Sequence, residues 1–373
     1  MVTITLVLFA LDRYHSPQLA GVTAFLVIFP GLVVSPIAGA LLDRHGRARL
    51  VVLDYVIAAA SLTLVAILSL LHDLPAALLL VIVGVSSLTN PLSATGARSL
   101  FPILAPKHLW ERANALDSGG HVISQLIGSP LAGVLVGFAG AETALAASAA
   151  LFVVAALVMF RVGDPSPKTE RANAILVEAW GGLVYVVRNH TLRGLALTLS
   201  TFNLSWGILT IALPVLVLDR IHMGPATVGL VWGAMGAAGL ASALVAGRFH
   251  STGRERHLMV AASFISAAAF ATLPFARSLP LVVAAIALMG LANGPFDIGL
   301  FTLRQRRTDP AWFGRAFAVS MSVNWIGAPI GAALAGPLIG SSLDLALWVA
   351  AGAALLAAVL SIVAIPARSP AQP

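Results

Sequence analysis

Cysteine is absent from the 373 residues, which excludes a disulfide framework and any thiolate metal site. Charge is scarce too. Only 10% of residues are Asp, Glu, Lys or Arg, against ~25% in a soluble domain. No G-x-x-x-x-G-K-[ST] cradle for a nucleotide phosphate occurs, and no H-E-x-x-H metal motif. The chain therefore reads as neither an enzyme nor an ATP-driven pump, and no cofactor or metal is expected. Met1 runs directly into apolar sequence, without the basic start and small-residue cleavage site of a signal peptide.

What is abundant is apolar sequence, at 59% of the chain. A bilayer core needs ~20 apolar residues per helix. Stretches of that order recur at Pro17–Leu42, Leu50–Leu71, Pro75–Phe101, Asn114–Phe138, Glu142–Phe160 and Leu192–Leu218. They continue at Ala226–Arg248, His257–Phe275, Leu279–Leu303, Gly314–Ile339 and Leu343–Ile365. A twelfth, Val2–Leu11, has half the length and reads as a first helix lacking its opening half. The class is an all-α, multi-pass membrane protein.

The net charge of +7 reports topology. Nineteen of the 22 Lys and Arg fall on alternate connections; the other set holds only Arg13, Arg220 and Arg277. The positive-inside rule places the rich set in the cytoplasm, and both termini of a complete form with it. A nucleic-acid surface would gather its basic residues on one face among aromatics. Here they are dispersed over short loops, so nucleic acid is not an expected partner.

The longest hydrophilic connection opens with Gly163-Asp164-Pro165-Ser166-Pro167, which cannot continue a helix. Ile175–Val187 then reads as an amphipathic piece lying at the membrane surface. The expected organisation is a six-helix half over 1–161, a cytoplasmic linker over 162–191 and a second six-helix half over 192–373. The halves echo one another. Pro91 corresponds to Pro295 at an offset of 204, Pro130 to Pro329 at 199, and Arg47 to Arg254 at 207. Six plus six helices in parallel repeats is a secondary-transporter layout.

The sharpest local motif is Gly39-Ala40-Leu41-Leu42-Asp43-Arg44-His45-Gly46-Arg47-Ala48-Arg49. It resembles, at every fixed position, the signature between helices 2 and 3 of the major facilitator superfamily. Gly39 permits close helix approach and Gly46 a tight reversal. The resemblance implies two six-helix bundles with pseudo-two-fold symmetry. It also implies that Gly39, Asp43, Arg44, Gly46 and Arg47 form a cytoplasmic gate, Asp43 latching onto the start of helix 11 near Gly314-Arg315. Shorter stretches resemble the drug:proton antiporter branch that holds macrolide efflux proteins and the enterobactin exporter. They are Phe101–Pro106, Arg112–Leu116, Ser129–Gly133, Thr302–Gln305 and Gly314–Ala316. The branch has glycine where Ser129, Gln125 and Leu116 stand here, which leaves uptake or facilitated diffusion open. It also carries an acid in the first half of helix 1, a half this sequence lacks. That leaves open a transport-dead sensor or assembly protein.

Polar groups within a membrane face the bundle interior or a wet cavity. Helix 5 carries Asn114, Asp117, His121, Gln125 and Ser129 at spacings of 3, 4, 4 and 4, one stripe on one face. Substrate-cavity candidates are Asn114, Asp117, Gln125, Asn203, Trp206, Asn293, Asn324 and Trp325. The two tryptophans are of a kind that stacks on aromatic or cationic ligands. Gly128, Pro130, Gly133, Gly327, Pro329 and Gly331 are expected to set helix packing. Coupling requires a group that takes up and releases a proton. Asp297 is the acid placed deepest in an expected cavity helix; His121, titrating near neutrality, is second. Asp54 is expected to pair with inner-loop charges. The combined expectation is a monomer in a bacterial inner membrane. It would export a small, partly hydrophobic substrate such as a drug, macrolide-like compound or siderophore, in exchange for protons.

Overall fold

In a computed structural model, residues 1–104, 110–163, 172–246, 254–309, 319–320 and 322–367 are described. They divide into two compact units, Met1–Glu178 and Ala179–Pro373. The first holds α1 (Val2–Tyr14), α2 (Pro17–His45), α3 (Arg47–Leu70), α4 (Ala76–Ser87), α5 (Asn90–Leu104), α6 (Trp110–Ala139) and α7 (Ala141–Phe160). The division falls inside α8 (Ala172–Arg188), the piece read as amphipathic. The second unit holds α9 (His190–Val215), α10 (Pro225–Ala246), α11 (Glu255–Thr272), α12 (Leu279–Arg306), α13 (Gly327–Ser341) and α14 (Leu343–Val363).

Ten spans among the described residues are long and apolar enough to cross a bilayer. Of the expected spans, α1 falls short of that measure, with 13 residues. α6 has 30 residues, and most side chains of its first half lie outside the described residues.

Helix ends follow local chemistry. The Ser16 hydroxyl caps α2 by accepting from the Leu19 N–H at 3.2 Å, with Pro17 in the first turn. The Asn189 side chain caps α9 by accepting from the N–H groups of Thr191 and Leu192 at 3.0 and 3.1 Å. The span expected over Pro75–Phe101 is interrupted. α4 stops at Ser87, and the backbone turns through Leu88 and Thr89 with i→i−3 hydrogen bonds before α5 begins. Pro91 has no N–H, so the Ser87 carbonyl loses its α-helical donor.

In the first unit α3 packs along α7 and against α5. The Ser69 hydroxyl donates to Glu142 at 2.8 Å across the α3–α7 seam. In the second unit α9 packs between α13 and α14, and α12 between α10 and α11. Glycines permit this closeness. A Cβ at Gly327 would overlap the Ser200 carbonyl, one at Gly331 that of Leu204, and one at Gly207 that of Ala328. Backbone therefore rests directly on backbone along the α9–α13 seam, the small-residue packing of membrane helices.

One end of the second unit is clasped by arginines. Arg307 donates to the Pro366 and Ala367 carbonyls at 2.7 and 3.2 Å, and Arg256 Nε to the Ile365 carbonyl at 2.9 Å. Glu255 pairs with Arg306 at 2.6 Å. Burial draws the Arg307 guanidinium below its ordinary value; nearby Glu255 opposes that shift and Arg256 adds to it. At the other end Arg220 pairs with Asp344 at 2.6 Å.

Candidate functional site

The gate motif occupies the corner between α2 and α3. Gly46 joins the helices with φ 98° and ψ 132°, and its N–H donates to the Leu42 carbonyl at 3.2 Å. Side chains avoid that backbone region, so the position requires glycine. Arg47 starts α3. The corner is braced by α5. A Cβ at Gly96 would stand 2.6 Å from Val51 and 2.9 Å from Leu42, both buried. Gly39, Asp43 and Arg44 lie on α2, and their side chains fall outside the described residues. Gly46→Ala is expected to cost about 1–3 kcal/mol, the range for a non-glycine residue held at such angles. Thermal unfolding of the detergent-solubilised variant should show the loss; an unchanged midpoint would contradict the strained turn.

The polar stripe of helix 5 lies on α6, but the side chains of Asn114, Asp117, His121 and Gln125 are outside the described residues. Further along α6, Pro130 sits inside the helix and Gly133 is buried. At Gly128 a Cβ would meet the Met1 backbone nitrogen at 3.2 Å, so α6 closes on the start of α1 there.

The second unit brings several candidates together. Asn203 on α9 donates from its side-chain amide to the Asn324 carbonyl at 2.8 Å. Asn324 is 1% exposed, and neither its Oδ1 nor its Nδ2 has a partner. Three further buried hydroxyls without partners occupy the same two chain segments: Thr198 and Ser205 on α9, and Ser320 one turn before Asn324. The spacing of Ser320 and Asn324 is visible in the sequence; Thr198 and Ser205 do not stand out there, because an isolated Ser or Thr in a membrane helix normally bonds its own backbone. Buried polar groups are normally hydrogen-bonded, so a cluster of partnerless ones is a place suited to a polar guest. Pro329, with the seam glycines Gly327 and Gly331, is buried on α13 just beyond.

Trp206 has a different setting from a free cavity wall. It packs in an aromatic cluster, 6.0 Å from Trp232 and 5.9 Å from Phe270 between ring centroids. Phe202 stacks on Phe296 at 5.3 Å within that cluster. Trp206 keeps only part of its surface for any ligand. Trp325, by contrast, is 49% exposed. On α12, Asn293 is half-buried and Asp297, one turn on, is exposed. A carboxylate left accessible along a 28-residue helix of membrane length marks a wet surface or a functional one.

Asp54 is 2% exposed and faces the hydroxyls of Ser93 and Thr89; the side chains of the inner-loop residues Arg44 and Arg98 lie outside the described residues. Seven residues separate it from Arg47, about 10 Å along the helix axis, and α3 turns this face toward α5.

A family model described as Major Facilitator Superfamily matches residues 1–254 and 195–373. An uncharacterized MFS-type transporter of Sinorhizobium fredii, y4rN, is 39% identical over 335 residues, 89% of this chain and 82% of that protein. Multidrug efflux pump Tap of Mycolicibacterium fortuitum is 27% identical over 84% of this chain and 78% of its own length. Macrolide efflux protein A of Streptococcus pyogenes is 22% identical over 87% and 82%. Among solved structures, the nucleoside transporter NupG superposes with a TM-score of 0.76 at 14% identity, covering 97% of this chain and 95% of its own. At that identity the likeness speaks for the fold alone.

Proposed function

Because the chain belongs to the Major Facilitator Superfamily, we propose that it is a secondary transporter exporting a small, partly hydrophobic molecule in exchange for protons. The observation that carries the coupling is Asp297, an accessible carboxylate on an apolar helix one turn from Asn293. Efflux pumps among the relatives support the direction. The two compact units are the bodies that rock in alternating access. Substrate is held by Asn203, Asn293, Asn324 and Trp325, with Trp206 offering the rim of its aromatic cluster. Asn114, Asp117 and Gln125 of α6 are further substrate candidates, and His121 is the second proton candidate. The basic loops face the cytoplasm of a bacterium.

A knockout challenged with antibiotic, dye and siderophore panels tests the direction. Substrate should accumulate in cells lacking the protein and be expelled on complementation. Unchanged accumulation across all three panels would count against export.

The gate reading has its own test. Asp43→Asn is nearly isosteric, and a carboxylate at a helix N-terminus is worth ~0.3–1 kcal/mol, up to ~2 when partly buried. Single cysteines placed in this cysteine-free chain should become more reactive from the cytoplasmic side. Unchanged labelling with unchanged transport would remove Asp43 from the gate.

A further inference from the structure

The interruption between α4 and α5 lies against Asp54, the most deeply buried acid among the described residues of the first unit. Asp54 is 2% exposed, and its Oδ1 is closed to solvent and receives no hydrogen bond. The polar groups opposite are the hydroxyls of Ser93 and Thr89. Each hydroxyl has one proton, and each has a backbone carbonyl competing for it. Thr89 Oγ1 donates to the Ser86 carbonyl at 2.9 Å, and Ser93 Oγ to the Asn90 carbonyl at 3.1 Å. A hydroxyl that turns to the carboxylate gives up its carbonyl, and Oδ1 still has no donor. A negative charge buried there is unfavourable unless a positive charge or a proton lies beside it.

Other features point to a ligand. Pro91 withdraws the α-helical donor of the Ser87 carbonyl, leaving backbone oxygen at the break. One helical turn further along α3, a cavity of about 140 Å³ opens, walled in part by Ser61, Ser86, Ser87 and Asn90. At ~30 Å³ per water it has the volume of a few water molecules, and apolar side chains such as Leu62 and Val65 form the rest of its wall. No charged side chain competes at the site among the described residues. Tyr55, next on α3, is the titratable neighbour that feels Asp54. Glu142 is engaged with Ser69 near the far end of α3, and Arg47 and Arg49 at its start have contacts of their own. Arg98 on α5 has its side chain outside the described residues.

We propose that Asp54, with the Thr89 and Ser93 hydroxyls at the α4–α5 break, forms a monovalent-cation site in the first unit, occupied by H⁺ or Na⁺ and distinct from Asp297. Interrupted helices at membrane depth suit this use, since their unwound backbone supplies oxygen ligands. The two ions share one chemistry here: each places positive charge on a buried carboxylate whose Oδ1 receives no hydrogen bond.

The test uses the full chain in nanodiscs. Binding of ²²Na⁺ is measured across pH, together with the infrared carbonyl band of a protonated carboxyl. Sodium occupancy predicts one saturable, proton-competed Na⁺ per chain, lost in Asp54→Asn. Proton occupancy predicts no Na⁺ binding, but a protonated-carboxyl band at neutral pH that disappears in Asp54→Asn. Ser93→Ala guards against a folding defect in that variant. It should weaken Na⁺ binding, or shift the titration of the band, by roughly three- to tenfold, as for one lost hydrogen-bonding group. Asp297→Asn should leave either signal intact, which separates this site from the coupling residue proposed above. Absence of both signals in the wild type would overturn the site, as would an unchanged signal in both Asp54→Asn and Ser93→Ala.

Discussion

Asp297→Asn should abolish uphill export while leaving substrate binding and downhill exchange in place. Asn matches Asp in shape and keeps a polar atom at each position, so the accessible face of α12 is preserved. What it cannot do is release and rebind a proton. A transporter that exchanges protons for substrate needs one such group exposed in turn to each side. In proteoliposomes, counterflow of labelled substrate should stay within about twofold of wild type, a change smaller than 1 kcal/mol. Accumulation against a gradient should fall to background. If the variant still accumulates substrate under an imposed pH gradient, Asp297 is not the coupling site. Loss of counterflow as well would assign it to substrate binding or folding instead.

The second large effect is structural. Gly327→Val should collapse the α9–α13 seam. The group a new side chain meets is the Ser200 carbonyl, with the Leu204 nitrogen 2.9 Å from the Cβ position. Backbone cannot rotate away as a side chain can, so the helices must separate. Overpacking costs ~1–3 kcal/mol in ordinary cores, and a backbone clash belongs at or above the top of that range. Asn203 then also loses its bond to the Asn324 carbonyl. The solubilised variant should unfold at a markedly lower temperature and lose substrate binding. Gly352→Val on α14 is the control, since nothing lies within 4 Å of a Cβ there. Equal stability of the two variants would refute the direct backbone contact.

The elements were largely legible in the sequence because membrane helices declare themselves by length. Gly46 was legible as a turn, and the structure gives it the positive φ that excludes other residues. Packing detail was less legible. A helix apolar on every side carries no periodic signal for which face meets a neighbour. Trp206 could therefore not be assigned in advance to the cluster with Trp232 and Phe270. The break before α5 was hidden for a related reason. Pro75–Phe101 reads as one apolar stretch, whereas the interruption depends on i→i−3 bonds that begin at Leu88. Sequence distance pointed from Asp54 to the inner-loop charges, whereas the Thr89 and Ser93 hydroxyls beside it become visible only once α3 is packed against α5.

The most direct test of proton-coupled export is the sign of its response to a pH gradient. The purified wild-type chain is reconstituted with a substrate identified by the accumulation panels. Substrate should concentrate in the vesicle lumen when the lumen is acidic, and not when the outside is acidic. A protonophore should abolish the effect. Accumulation driven by an acidic outside would make the protein a proton-coupled importer. Equilibration at the same rate whatever the gradient would show that it is not coupled to protons at all.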